Sequence, residues 1–160
     1  MLAEIQADFD RLQRLINAAN ELPDEATGEA ESMVYEYLCV AIAGRLEQNI
    51  KSILVTYSDR KSNRMLNKAV SRLCQAFQNP TKEKILDLVK LFDPEFSSTL
   101  DSEWKEQLSA GGIVNDMIGH RKRIAHQTTN SRSMTKTKVV SYFGAYKEVV
   151  VRLEGHFCDS

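Results

Sequence analysis

The residues with the most chemical potential lie in one stretch, GHRKRIAHQTTN, from Gly119 to Asn130. Between Met117 and Lys147 the chain carries seven Lys or Arg (Arg121, Lys122, Arg123, Arg132, Lys136, Lys138, Lys147), two histidines (His120, His126) and no acid. Such a block is either a solvated face or the footprint of a polyanion site. Cations in the last turn of a helix complement the macrodipole and bind the terminal carbonyls, which accounts for Arg121, Lys122 and Arg123. It does not account for the two histidines that bracket them. Arg121 and His126 are five residues apart, so an ideal helix separates them by roughly 140°. A two-fold dimer would bring the same short segment from two chains face to face, lining one cleft with Arg and His from both.

Little else in the chain suggests a reaction. There is no G-x-x-x-x-G-K-S/T loop, no G-x-G-x-x-G, no H-E-x-x-H and no G-x-S-x-G. The three cysteines, Cys39, Cys74 and Cys158, are odd in number and far apart, with no C-x-x-C pair, which argues against a disulfide framework and a zinc ribbon. Cys39 and Cys74 lie in helical, mostly apolar settings and read as buried packing thiols. Asp24 and Glu25 sit in an acidic loop without apolar neighbours and read as solvated. The charge is asymmetric: from Leu15 to Gly44 there are six acids and no Lys or Arg, although the whole chain has a net charge of −1.

These residues need a scaffold, and 160 residues is one domain's worth of chain. The 42% hydrophobic and 27% charged fractions are those of an ordinary globule. The longest apolar run, near Leu38 to Ala43, is far short of the about 20 residues of a membrane span. The stretch MLAEIQADFDRL has acids where a signal peptide has a basic region and an apolar one, so a cytoplasmic location is expected.

The period is helical throughout, so the expected class is all-α. A first helix runs from about Leu2 to Glu21 and stops at Pro23; after the loop PDEATGEAES a longer one carries Val34 through Tyr57, about 35 Å long. A third runs from about Ser62 to Phe77. Asn79-Pro80 reads as an N-cap with proline at the first position of a fourth helix, which holds Ile85 to Phe92 and ends at Asp93-Pro94. Asp101 or Ser102 can cap a short helix with Trp104 and Leu108, broken by Gly111-Gly112. A fifth long helix runs from about Gly112 to Gln127, and Ser133 or Thr135 caps a final one bearing Val139 to Phe157. The helices around residues 30–58 and 134–157 should be the longest, with Leu46, Ile50, Leu73, Phe77, Leu88, Phe143, Val150 and Leu153 in the core.

At this point the chain resembles a known family. The run from Arg121 to His126 is similar to the R-x4-6-H motif of the HEPN superfamily, small all-α domains many of which are metal-independent ribonucleases. Arg45-Leu46-Glu47 in the long second helix, the Phe77-Gln78-Asn79-Pro80 step and the motif at the end of a later helix extend the match to nearly the whole chain, in the order of HEPN domains of the RiboL-PSP type. The family usually has Asn, Asp or His directly after the motif Arg, where this chain has Lys122.

The resemblance implies a single HEPN-like domain over residues 1–160, an antiparallel (up-and-down) bundle of four to six helices. It also implies a dimeric endoribonuclease that needs no cofactor or metal and cleaves single-stranded RNA to a 2′,3′-cyclic phosphate. A role as bacterial toxin or antiphage effector follows, with an antitoxin of the nucleotidyltransferase type or another defence-system protein as partner. RNA supplies its own nucleophile, the 2′-OH, so such an enzyme need only transfer protons and stabilise charge. His126 would be the general acid or base, and Arg121 would present its planar fork to the non-bridging oxygens. Lys122, Arg123, His120 and Arg132 would contact the RNA. The alternative is a non-catalytic HEPN-like bundle that binds nucleotide or a partner protein, since a fold does not confer an activity.

Overall fold

A 34-residue helix, Gly28–Lys61, is the axis around which the chain is arranged. Tyr35, Leu38, Cys39, Ile42, Leu46, Ile50, Ile53 and Leu54 are all buried and point in several directions, so neighbours must cover this helix on more than one side. The computed structural model describes residues 1–21, 28–61, 64–126 and 134–158, and over these the chain is an all-helical bundle. The elements are α1 (Ala3–Asn20), α2 (Gly28–Lys61), α3 (Arg64–Ala76), α4 (Lys82–Lys90), α5 (Pro94–Glu103), α6 (Ala110–Ala125) and α7 (Lys136–Phe157). No helix among the described residues is long and apolar enough to cross a membrane.

Polar pairs set the directions of the helices. Asp8 meets Arg45 at 3.3 Å and Glu4 accepts from Ser52, so α1 runs antiparallel to α2. The Leu2 N–H donates to Glu154 Oε1 (2.7 Å) and the Phe9 ring meets Tyr146 edge-on at 5.1 Å, so α1 is antiparallel to α7 as well. Asn49 Nδ2 donates to Tyr146 Oη (2.7 Å) and Arg60 Nη1 to the Cys158 carbonyl (2.6 Å). The two longest helices, α2 and α7, therefore run in the same sense.

Several local expectations give way to tertiary contacts. α2 already includes Gly28 to Ser32, which were expected in the acidic loop, and Glu29 and Glu31 sit favourably in its first turn at the positive end of the helix dipole. Of the expected core, Leu46, Ile50, Phe77, Leu88, Phe143, Val150 and Leu153 are buried, but Leu73 is 47% exposed. Among the described residues α3 packs against α2 and buries Val70 and Cys74, a stripe that leads into Phe77. Asn79-Pro80 is not the start of α4: Asn79 adopts a left-handed φ of 49°, tolerable for Asn, and Thr81 is the N-cap. Two tertiary acceptors hold this corner, Glu47 Oε2 on the Asn79 N–H (3.1 Å) and Asn115 Oδ1 on the Lys82 N–H (2.6 Å).

Asp93-Pro94 ends α4 and also opens α5, Asp93 accepting the Phe96 N–H at 2.9 Å with Pro94 in the first turn. This helix lies ahead of the short one expected after Asp101 or Ser102 and takes its place, and the described helices number seven. Trp104 is the buried C-cap of α5, Leu108 is exposed, and no short helix holds the two together. Gly111 and Gly112 do not break a helix; they form the first turn of α6 behind the N-cap Ser109. A Cβ on Gly111 would lie 2.9 Å from Trp104 Cβ, and one on Gly112 would run into the Gln107 carbonyl. Gly112→Ala should therefore cost about 1–3 kcal/mol through backbone displacement. The same change at Gly144, where a Cβ meets nothing within 4 Å, should be neutral or stabilising by comparison. Thermal melts followed by circular dichroism compare the two.

Candidate functional site

α6 exposes its basic end at the edge of the bundle while α2 and α7 hold its last two turns from either side. On the α2 side, Arg121 Nη1 lies 3.3 Å from Glu47 Oε2. Glu47 is buried and has two further donors, Lys51 Nζ on Oε1 (2.9 Å) and the Asn79 N–H on Oε2 (3.1 Å). Burial alone would raise its pKa; the hydrogen bonds from Lys51 and Asn79 and the charges of Lys51 and Arg121 outweigh it and hold the carboxyl below its ordinary value. The Arg121 side chain remains 26% exposed, so its fork is fixed at one edge and open to solvent at the other.

On the α7 side, His120 is buried, which removes it from the surface where RNA contact was expected. Its Nδ1 is 2.7 Å from Tyr142 Oη and 3.1 Å from the Asp116 carbonyl, and its Nε2 is 3.3 Å from Lys138 Nζ. Tyr142 Oη is also 2.6 Å from Asp116 Oδ2. One proton arrangement satisfies every contact. Nδ1–H donates to Tyr142 Oη and the Asp116 carbonyl, the Tyr142 hydroxyl donates to the Asp116 carboxylate, and Nε2 accepts from the Lys138 ammonium. This is the neutral imidazole. Burial lowers the His120 pKa, and Lys138 and Arg123 push the same way against Asp116. These contacts join α6 to α7 and clamp the helix one residue before Arg121.

His126 is the C-cap of α6, its N–H bonded to the Lys122 carbonyl at 3.1 Å. Its ring is exposed, as are Lys122 and Arg123, and no hydrogen bond or ion pair of the ring occurs among the described residues. Arg132 lies outside the described residues. Among the described residues no contact joins Arg121 and His126: the guanidinium pairs with Glu47 on α2, and the imidazole follows the helix at its C-cap. Cys39 and Cys74 are buried free thiols; burial, the largest cause, pushes the Cys39 thiol up to about 12, so it is no nucleophile at neutral pH. No group of His, Cys, Asp and Glu that could hold a metal ion occurs among the described residues.

Compared with protein-family models, curated proteins and solved structures, the chain matches none of them. The site must therefore be read from its own geometry. Sequence reasoning named Glu47 only as part of a motif, counted Lys138 only within the basic block and passed over Asp116 and Tyr142. A signal for Glu47 was present: an acid one residue after Leu46 and three before Ile50 has few ways to reach water, and Lys51 follows it at i+4.

The two buried groups titrate in separate windows. His120 has a lowered folded pKa, so the unfolded chain takes up its proton first, and stability is lost as pH falls below the ordinary value of 6.5. Glu47 also has a lowered folded pKa, and its stabilisation is lost only below the ordinary carboxylate value of 4.5. The melting temperature should decline between pH 7 and 5 in the wild type and decline less in His120→Gln, while Glu47→Gln should flatten only the more acidic part. Melts across pH 3–8 resolve the two.

Proposed function

We propose that this protein is a metal-independent endoribonuclease that acts as a two-fold homodimer on single-stranded RNA. The observation that carries the reading is Arg121, oriented by a buried, triply bonded carboxylate and exposed at its outer edge, one and a half turns before a solvent-open histidine. A fork fixed in advance suits the charge that builds on the non-bridging oxygens as the 2′-OH attacks. His126 supplies the proton transfer, and the copies of Arg121 and His126 from two chains complete one cleft. The 2′-OH loses its proton to one imidazole, the leaving 5′-oxygen gains one from the other, and a 2′,3′-cyclic phosphate remains. Lys122 and Arg123 attract the polyanion. Such an enzyme acts as a toxin or antiphage effector and requires a restraining partner in its own cell, of the kind a nucleotidyltransferase-type antitoxin provides.

A second reading is favoured by the pairing of Arg121 with Glu47, with no contact to His126 among the described residues, and by Lys122 after the motif arginine. A non-catalytic bundle would bind nucleotide or a partner protein through the same cations without cleaving anything.

Labelled single-stranded RNA incubated with the purified protein in EDTA separates the two. Cleavage should appear with cyclic-phosphate ends, and His126→Ala or Arg121→Ala should each reduce it by about 10²–10⁴. Arg121→Lys should fail as well, because an ammonium lacks the planar fork. His126→Ala should melt like the wild type, whereas Arg121→Ala should melt lower because Glu47 loses one of its three donors. Lys122→Ala should weaken binding in a salt-dependent way and leave turnover at low salt. Binding without cleavage in EDTA would establish the second reading. Sedimentation should show a dimer at micromolar concentration, and a monomer that still cleaves would overturn the composite site.

A further inference from the structure

On the side of the bundle formed by α2, α3 and α4 lies a groove of about 350 Å³ that the ribonuclease reading leaves unused. Its apolar lining includes Tyr57, Val70, Leu73, Leu91 and Phe92, of which Leu73 is 47% and Leu91 66% exposed. Large aliphatic side chains this open, gathered in one concavity, mark an interaction site more often than a plain surface. Lys61 lines the groove, and Lys68 and Arg72 stand exposed on α3, each one residue before a lining residue, Ala69 and Leu73. From Arg60 to Lys82 the chain carries six Lys or Arg and no acid.

The pairing of these cations is informative. Arg45, Lys51, Lys82, Arg121, Lys138 and Arg152 each have a carboxylate partner. Lys61, Lys68 and Arg72 have none among the described residues. On α4, Asp87 lines a different cleft with Glu83 and Asp101, while on α2 one exposed acid, Asp59, stands between the groove-lining Ser58 and Lys61. Among the described residues the apolar floor thus has three cations and one acid, Asp59, beside it, a rim of net positive charge.

We propose that this groove docks an acidic amphipathic helix from a partner protein, with two or more apolar anchors at helical spacing on the floor and carboxylates meeting Lys61, Lys68 and Arg72. Nucleic acid fits less well. Bases bind by stacking on open aromatic faces, and the rings here engage one another edge-on: Tyr57 with Phe92 at 6.3 Å and with Phe157 at 5.0 Å. The remaining floor is aliphatic, which suits leucine-like side chains. The proposal is independent of the ribonuclease reading, because the groove contains neither Arg121 nor His126.

The probe is a fluorescein-labelled synthetic helix of about 18 residues with Leu at i, i+3/i+4 and i+7 and Glu on the other face, titrated with the full chain and read by anisotropy. Three comparison probes accompany it: the same Leu pattern with Lys for Glu, the same composition with the Leu positions scattered, and a single-stranded RNA. The Glu/Leu helix should bind, at least about ten-fold more tightly than either other peptide, and weaken with salt. Leu73→Ser with Leu91→Ser should weaken it about ten-fold, as should Lys68→Glu with Arg72→Glu, and neither pair should change the melting temperature much, since all four side chains are exposed. Equal binding of the Lys/Leu helix, indifference to both double variants, or RNA binding that the Leu73/Leu91 pair abolishes would each overturn the proposal.

Discussion

The burial of one carboxylate organises the functional half of this molecule. An ionised Glu47 in the interior would be costly without compensation, and the three donors that satisfy it come from three different parts of the chain: Lys51 on α2, the Asn79 backbone after α3, and Arg121 near the end of α6. Satisfying the charge therefore fixes the α3–α4 corner and the last turn of α6 together. The arginine best placed for chemistry owes its orientation to that requirement.

α6 is held on its other side by a different kind of contact. The His120, Tyr142, Asp116 and Lys138 cluster is a polar network with each hydrogen bond assigned and the histidine neutral. Adjacent residues, His120 and Arg121, thus do opposite electrostatic work: one remains uncharged by burial, the other remains charged against a carboxylate. Between them they leave only the outward face of the helix end, with Lys122, Arg123 and His126, to meet a ligand.

Much of the fold was legible because it is written in local chemistry. Thr135 caps α7, Asp93-Pro94 marks a boundary, and the apolar period of the long helices predicts their buried faces. What escaped depends on contacts distant in sequence. Leu73 matches the apolar period, but among the described residues α3 has contacts with α2 and with no second helix that would cover it. Gly111-Gly112 looks like a breaker until Trp104 and Gln107 are seen pressed against its backbone. Asn79 looks like a cap until Glu47 claims its N–H. At the site, the composition of the basic segment marked where to look, but it did not distinguish His120, turned inward, from His126, turned outward. The ring contacts of Tyr142 decide that, and they lie more than twenty residues away.

The common direction of α2 and α7 sets the electrical symmetry of the protein. Parallel helix dipoles reinforce one another, and here the two positive ends lie side by side, Gly28 to Tyr35 sharing one cleft with Met134 to Thr137. α7 has no acid in its first turn, only Lys136 and Lys138, whereas α2 has Glu29 and Glu31 in its own. The acids of one helix thereby serve as counterions for two, and the clustering of negative charge early in the chain becomes a remedy for a field generated more than a hundred residues later. With α1 running against both helices, its negative pole faces the same two positive ends and offsets part of their field.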